Sequence, residues 1–377
     1  MATTSGTVST YSFNQRKVID HAFRRAGRAA QRASAENIQI AQDLIYTITS
    51  QWANAGFMLW TREFLLLPIT IGSADVTCPT GTVEVLNAYW RAFNPWRGGA
   101  TLSTGGDGSV LFAGAPNADV AITGINPAVW VNFGSAIETD TIGVLLGGTS
   151  PVTAVLQVQI SVDGLNWTTV QTLPNTTFSP MTWAYFDLDP VITVQYLRVM
   201  LPSAVSTTWT LNQMNFGLAN STEVDLGILN IDDYWSLPNK YFSGDRVTSG
   251  YVDRQLNNPV IKAWPVPNVA AFYNGTVTAL TRRYVQDPGS MTNNVEIPQR
   301  WAEALIWRLA KLLMFELPDE GGGDGGGGQA SYFGLMAKQQ RVQFIEAEAT
   351  KAEALAWAEE RTKAPIRMMP DISAYTS

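Results

Sequence analysis

The stretch Leu156-Gln157-Val158-Gln159-Ile160-Ser161-Val162-Asp163-Gly164-Leu165-Asn166-Trp167-Thr168-Thr169-Val170 alternates apolar and polar side chains, breaks at Asp163-Gly164, and then resumes an extended pattern. A strand sends successive side chains to opposite faces, so this alternation marks a strand with one buried and one wet face. Asp-Gly supplies the backbone freedom that a tight reversal needs. Leu197, Val199 and Leu201 alternate in the same way with Arg198 and Met200, and 209–216 closes the region. No helical period appears between 96 and 220, where Thr, Val, Gly and Asn dominate. That block holds two basic residues, Arg97 and Arg198, against seven acidic ones. The pattern predicts an antiparallel β-sandwich over 96–220.

Outward from that block the period changes. Ile19, Phe23, Ala26, Ala30 and Ala33 recur at helical spacing and predict a helix over 13–33, with Lys17, Arg24, Arg25, Arg28 and Arg32 on the opposite side. That basic side is either a solvated face or a contact for an acidic partner or passing DNA. Ser34 is placed to cap a second helix carrying Ile38, Ala41, Ile45, Ile48, Trp52 and Ala55 on one stripe, ended by Gly56. Short β-prone runs at 64–67, 75–78 and 82–86, separated by Pro68, Gly72, Pro79 and Gly81, predict a small sheet.

Beyond 221 come Pro-rich extended segments and a strand at 276–284. Pro298 then sits ahead of a helix carrying Trp301, Leu305, Leu309 and Leu312. Pro318 stops that helix, and the Gly-rich run within 319–330 reads as a linker. A last helix over 331–362 places Leu335, Val342, Ile345, Ala349, Ala352 and Ala356 on one face. The expected class is an α+β multidomain protein. Its α-helical bundle core with a small β-sheet, from 1–95 and 221–377, is interrupted by an all-β jelly-roll sandwich at 96–220.

Composition narrows the chemistry. The chain has 377 residues, 46% hydrophobic, 15% charged and 11% aromatic, with one histidine, His21, and one cysteine, Cys78. Zinc sites, disulfide scaffolds and nucleophile–base pairs need more of these two residue types than the chain contains. The formal net charge of −7 argues against a protein that wraps nucleic acid with Lys and Arg. Abundant aromatics favour broad packed or interfacial surfaces. No apolar run reaches the length of a membrane span and the first residues lack the shape of a secretory signal, so a soluble protein made in the cytoplasm is expected.

Specific motifs are sparse. Gly321 to Gly328 mimics a phosphate loop only as any polyglycine does, and no Gly-Lys-Ser/Thr follows it. Asp319, Glu320 and Asp324 lack the ligand spacing of a calcium loop. Asp187 and Asp189 flank Leu188 and are candidate paired carboxylates for glycoside hydrolysis, though a turn beside Pro190 is the simpler reading. His21 has no acid–base partner near it in sequence. Cys78 reads as a small core side chain. No catalytic, cofactor-binding or metal-binding residue is assigned, and no enzymatic activity is expected.

Five pieces in order beyond 223 carry a resemblance: 234–240, containing Tyr234 and Pro238; Tyr251-Val252-Asp253-Arg254; Ala263-Trp264-Pro265-Val266-Pro267; Arg283-Tyr284 with Asp287-Pro288-Gly289; and 297–305, containing Arg300 and Trp301. With the opening helical hairpin and Leu67-Pro68, they resemble the head-to-tail adaptor, or tail tubular, family of short-tailed bacteriophages. The block 96–220 departs from that family and is similar to discoidin-type, galactose-binding-like jelly rolls, through 161–168 and 195–199. The resemblance implies a structural virion protein at the head–tail junction. It implies a ring of twelve copies between the portal protein and the next tail or nozzle component, passing genomic DNA without reading its sequence. The inserted jelly roll would decorate or brace the capsid or bind host glycans. The rival reading is a carbohydrate-binding protein with a helical scaffold, in which exposed aromatics such as Trp130, Trp167 or Trp183 would meet the sugar.

Overall fold

The structure is a computed structural model, and it describes residues 14–27, 33–55, 59–114, 116, 118–218, 222–317 and 332–360. The expected linker at 319–330 and the chain past Pro365 lie outside the described residues. In order, the elements begin with α1 (Gln15–Arg25), α2 (Ala35–Ala55), β1 (Arg62–Leu67), β2 (Asp75–Thr77), β3 (Thr82–Ala92), β4 (Ala100–Leu102) and β5 (Val120–Gly124). They continue with β6 (Ala128–Leu146), β7 (Val152–Ala154), β8 (Gln157–Ser161), β9 (Thr168–Thr172), β10 (Thr176–Phe178), β11 (Trp183–Met200) and β12 (Thr207–Leu218). Next come β13 (Thr222–Asp225), β14 (Gly227–Leu229), α3 (Ile231–Ser236), β15 (Ser243–Gly244), β16 (Ser249–Asp253), β17 (Val260–Trp264) and β18 (Val266–Pro267). The last are α4 (Val269–Asn274), β19 (Gly275–Arg283), α5 (Gln299–Glu316) and α6 (Tyr332–Glu360). The chain divides into two compact units, 1–61 with 284–377, and 62–283.

The first unit holds the long helices. Asn14 caps α1 by accepting from the Lys17 amide at 2.9 Å, and Ser34 caps α2 by accepting from the Asn37 amide at 3.1 Å. Each bond satisfies a backbone donor that a helix start leaves open. α1 is shorter than the 13–33 stripe predicts. Gly27 takes a φ of +78° just past Ala26, a left-handed residue that ends a helix. Val18, Ile19 and Phe23 of α1 and Ile45, Ile48 and Trp52 of α2 are buried in one apolar cluster with Trp301, Leu305 and Leu309 of α5. Trp301 sits 4.8 Å from the Trp52 ring and 5.8 Å from Trp60, centroid to centroid. Part of the basic side of α1 is engaged: Arg25 pairs with Glu303 at 2.8 Å and stacks over Trp307 at 4.3 Å.

The second unit is β. An antiparallel sheet runs β1-β19-β3-β13, and a second runs β14-β16-β17-β2, mixed because β14 lies parallel to β16. The largest sheet runs β5-β12-β6-β11-β8-β9, with β4 also on β6, and all of its pairs are antiparallel. The long strands β6 and β11 slip register between Asp187 and Ile192 and again between Val194 and Tyr196. Such irregularities bend a strand and let one sheet curl around its own core. Ile122, Val129, Val131, Val144, Leu197, Val199, Trp209 and Phe216 fill that core.

One expectation is overturned. The α-helical bundle core with a small attached sheet gives way to a mostly β structure, 41% strand against 28% helix among the described residues, dominated by a curled jelly-roll-like sheet. The reason lies between 222 and 283, where short runs broken by prolines, which read as extended segments, become β13 to β19. These strands take partners from far away in sequence: β19 pairs with both β1 and β3, and β17 pairs with β2.

Candidate functional site

Three adjacent strands of the sandwich build an outward face opposite the core. The register places Trp130 of β6 beside Arg198 of β11, and Arg198 beside Gln159 of β8. One row along, Asn132 lies beside Tyr196 and Tyr196 beside Ser161. Because side chains alternate, Val131, Leu197, Val199 and Val158 point into the core. Trp130, Tyr196 and Arg198 are therefore left on the other face, each partly exposed.

The turn after β8 brings in the second tryptophan. Asp163 accepts from the Leu165 and Asn166 amides at 2.8 Å each, from the Asn166 side chain at 2.7 Å and from Ser161 Oγ at 2.8 Å. These donors, led by the Asn166 amide, hold its carboxyl well below the usual range. Gly164 takes a φ of +73°, and a Cβ there would lie 3.0 Å from the Tyr196 ring. The folded turn lays Trp167 edge-on to Trp130, with ring centroids 6.0 Å apart, and Tyr196 lies 6.4 Å from Trp130.

Arg198, the register neighbour of Trp130, packs on the Trp167 ring. Its guanidinium stands 4.3 Å over the Trp167 ring, and Nε donates to Gln159 Oε1 at 2.8 Å; Nη2 donates to the same oxygen. Gln159 is in turn oriented by donating to Thr169 Oγ1 at 3.0 Å. Burial lowers the Arg198 pKa from its ordinary value, and among the described residues it has no carboxylate partner.

Of the three tryptophans singled out from sequence, the structure brings Trp130 and Trp167 together and separates Trp183. Trp183 is 3% exposed, stacked 5.3 Å from Tyr185 and packed 6.1 Å from Phe272. Tyr196, Arg198 and Gln159 were not candidates. The signal available was the alternation itself, which sets Arg198, one of two cations in its block, opposite Leu197 and Val199.

The other sequence-derived positions lie elsewhere in the fold. Tyr234 stacks on Tyr251 at 5.6 Å, Trp264 Nε1 donates to the Asn239 carbonyl at 2.9 Å, and Trp264–Pro265 is cis. Asp253 accepts from Gln255 at 3.0 Å, and Arg254 pairs with Glu84 at 2.9 Å. Pro238 lies in the turn after α3, Pro267 ends β18, Arg300 stands in the first turn of α5, and Trp301 is fully buried. Asp187 pairs with Arg91 at 3.1 Å. Among the described residues no group of three His, Cys, Asp or Glu is placed to hold a metal ion. Asp319, Glu320 and Asp324 lie outside them. A separate cavity of about 640 Å³ in the helical unit is lined by Gln15, Gln39, Gln42, Asp43 and Tyr46, among others, and by Asp287, Pro288 and Gly289 of the resemblance-carrying pieces.

No family model matches the chain, and no curated protein matches it. Solved structures do. An F5/8 type C domain from Bacteroides fragilis is 14% identical over 34% of this chain and 95% of its own, with a TM-score of 0.28. A chitosan-binding module from a Paenibacillus sp. IK-5 chitosanase/glucanase is 22% identical over 33% of this chain and 95% of its own, with a TM-score of 0.26. A CBM32 module from Clostridium perfringens, solved with GalNAc-β-1,3-galactose, is 12% identical over 31% of this chain and 91% of its own, with a TM-score of 0.26. At this level of similarity, the sandwich is assigned by its own strand order and core.

Proposed function

We propose that the protein binds carbohydrate through the outward face of the sandwich, without turning it over. The observation that carries this reading is the grouping of Trp130, Trp167 and Tyr196, partly exposed and held in place, among the hydrogen-bonding side chains Asn132, Gln157 and Gln159. Aromatic rings cover the apolar face of a sugar while amides reach its hydroxyls, and a site fixed before binding loses little entropy on doing so. The test is a glycan array with the full chain, followed by titration of any hit. Trp167→Ala is expected to weaken binding by about tenfold or more, the loss of one well-packed aromatic contact. An array on which no glycan is retained would sink the reading.

A second reading, a connector ring between portal and tail, is favoured by a different observation. Trp235, Tyr241 and Phe242 are 65%, 90% and 52% exposed around α3. The backbone that presents them is pinned by Lys240 Nζ, which donates to the Trp235 and Leu237 carbonyls at 2.9 and 3.2 Å. Rigidly presented aromatics are the usual anchors of protein interfaces. Electron micrographs of the purified protein, alone and with portal, separate the two readings: closed rings support the connector, and monomers under all conditions remove it.

A further inference from the structure

We propose that the Arg198 face selects glycans bearing a carboxylate, of the uronic or sialic acid kind, over neutral ones; the inference rests on the glycan-binding reading above. Arg198 is a cation whose immediate surroundings do not neutralise it. A guanidinium carries five N–H donors in a planar fork. Two of its nitrogens meet a single acceptor, Gln159 Oε1, along one edge. The remaining donors have no partner among the described residues.

The acid of the adjoining turn is already occupied. Asp163 takes two backbone amides, the Asn166 side chain and the Ser161 hydroxyl. The other basic residue of the block, Arg97, donates to the Phe112 and Tyr273 carbonyls and to Asn274 Oδ1, at 3.1, 3.3 and 2.8 Å. Arg97 thus spends three donors on other elements of the fold, while Arg198 spends two on a single oxygen of its own face and keeps three to offer.

Its setting suits an anionic sugar. The Trp167 ring beneath the guanidinium and Trp130 and Tyr196 around it displace water, so an ion pair formed there is screened less than one in bulk solvent. An arginine fork binds a carboxylate with two parallel hydrogen bonds, which gives direction as well as strength. The aromatic rings would carry the pyranose, and Gln157 and Asn132 stand in the neighbouring rows for its hydroxyls. Both partners of a neutral sugar are present, and the acid adds a third.

The experiment titrates the full chain with 3′-sialyllactose against lactose, and with trigalacturonic acid against its methyl ester, following tryptophan fluorescence and heat. The acidic member of each pair is expected to bind about tenfold tighter or more, the value of a charge-assisted bidentate contact. Arg198→Gln is expected to bring the acid-to-neutral ratio near one. Arg198→Lys, which keeps the charge and loses the fork, is expected to keep only about a third of the preference. Circular dichroism and melting of both variants show whether they are folded; if Arg198→Gln is not, the Lys variant carries the comparison. Equal affinity of the unaltered protein for acidic and neutral members overturns the inference while leaving the glycan reading standing. Binding of neither class, on the array or in titration, removes both.

Discussion

At the scale of single residues, the turn at Gly164 is the point on which the candidate site hinges. Its φ of +73° is one that side-chain-bearing residues adopt at a cost of about 1 kcal/mol. A Cβ would also press on the Tyr196 ring at 3.0 Å, tighter than ordinary contact. Gly164→Ala is therefore expected to lower stability by about 1–2 kcal/mol and to displace Trp167 from Trp130. Thermal melting checks the first, and a shift in tryptophan emission with loss of glycan affinity checks the second; an unchanged spectrum would count against the turn as the positioning device. Cys78 makes an independent prediction. Burial pushes its thiol up from 9.0 to about 11, because the thiolate is poorly solvated there. A raised pKa means the folded state holds its proton longer than the unfolded chain does. The stability it contributes is complete below pH 9 and is lost as pH rises toward 11. Thiol reagents at pH 8 should label Cys78 only once denaturant unfolds the chain, and Cys78→Ala should show a shallower loss of stability between pH 9 and 11.

At the scale of elements, the helices and the sandwich strands were the legible parts, and the reason is their local periodicity. The Asn37 amide finds Ser34 Oγ because a cap is a short-range event, and 157–161 becomes β8 because alternation needs no knowledge of a partner. Pairing is another matter. Nothing near Phe64 or Thr281 in sequence announces that β1 and β19 lie side by side, with Phe64 opposite Leu280. The same distance hid the weight of β structure beyond 221. It also hid the site, since Trp130 and Trp167 carry no local sign that Arg198 will lie beside the one and over the other. α5 offers a test of the packing that was legible. Trp301, fully buried against Trp52 and Trp60, anchors the apolar cluster of the helical unit. Trp301→Ala should cost about 3–5 kcal/mol, the range for a large aromatic removed from a core. Denaturant unfolding measures it, and a cost below about 1 kcal/mol would mean the cluster collapses to fill the gap.

At the scale of the whole molecule, the strand pairing says where the chain can be cut. Residues 62–283 form one compact unit. The chain enters that unit along β1 and leaves it along β19, and these strands are antiparallel neighbours with Arg62 opposite Arg282. Its two ends therefore lie side by side, about 5 Å apart between Cα atoms across such a ladder. Glu63 and Arg283 form an ion pair at the same place. A segment whose ends meet in its own sheet needs nothing outside itself to close that sheet, which is the usual anatomy of an excisable domain. Expressed alone, 62–283 should fold, show the near-ultraviolet signal of ordered tryptophans and unfold in one cooperative transition. Because Trp130, Trp167, Tyr196 and Arg198 all lie inside it, it should also keep the glycan affinity of the full chain to within about twofold. A fragment that folds but has lost that affinity would move the binding face out of the sandwich. A fragment with strand content but no fixed tertiary signal would mean that the β1-β19-β3 sheet is held together by residues outside 62–283.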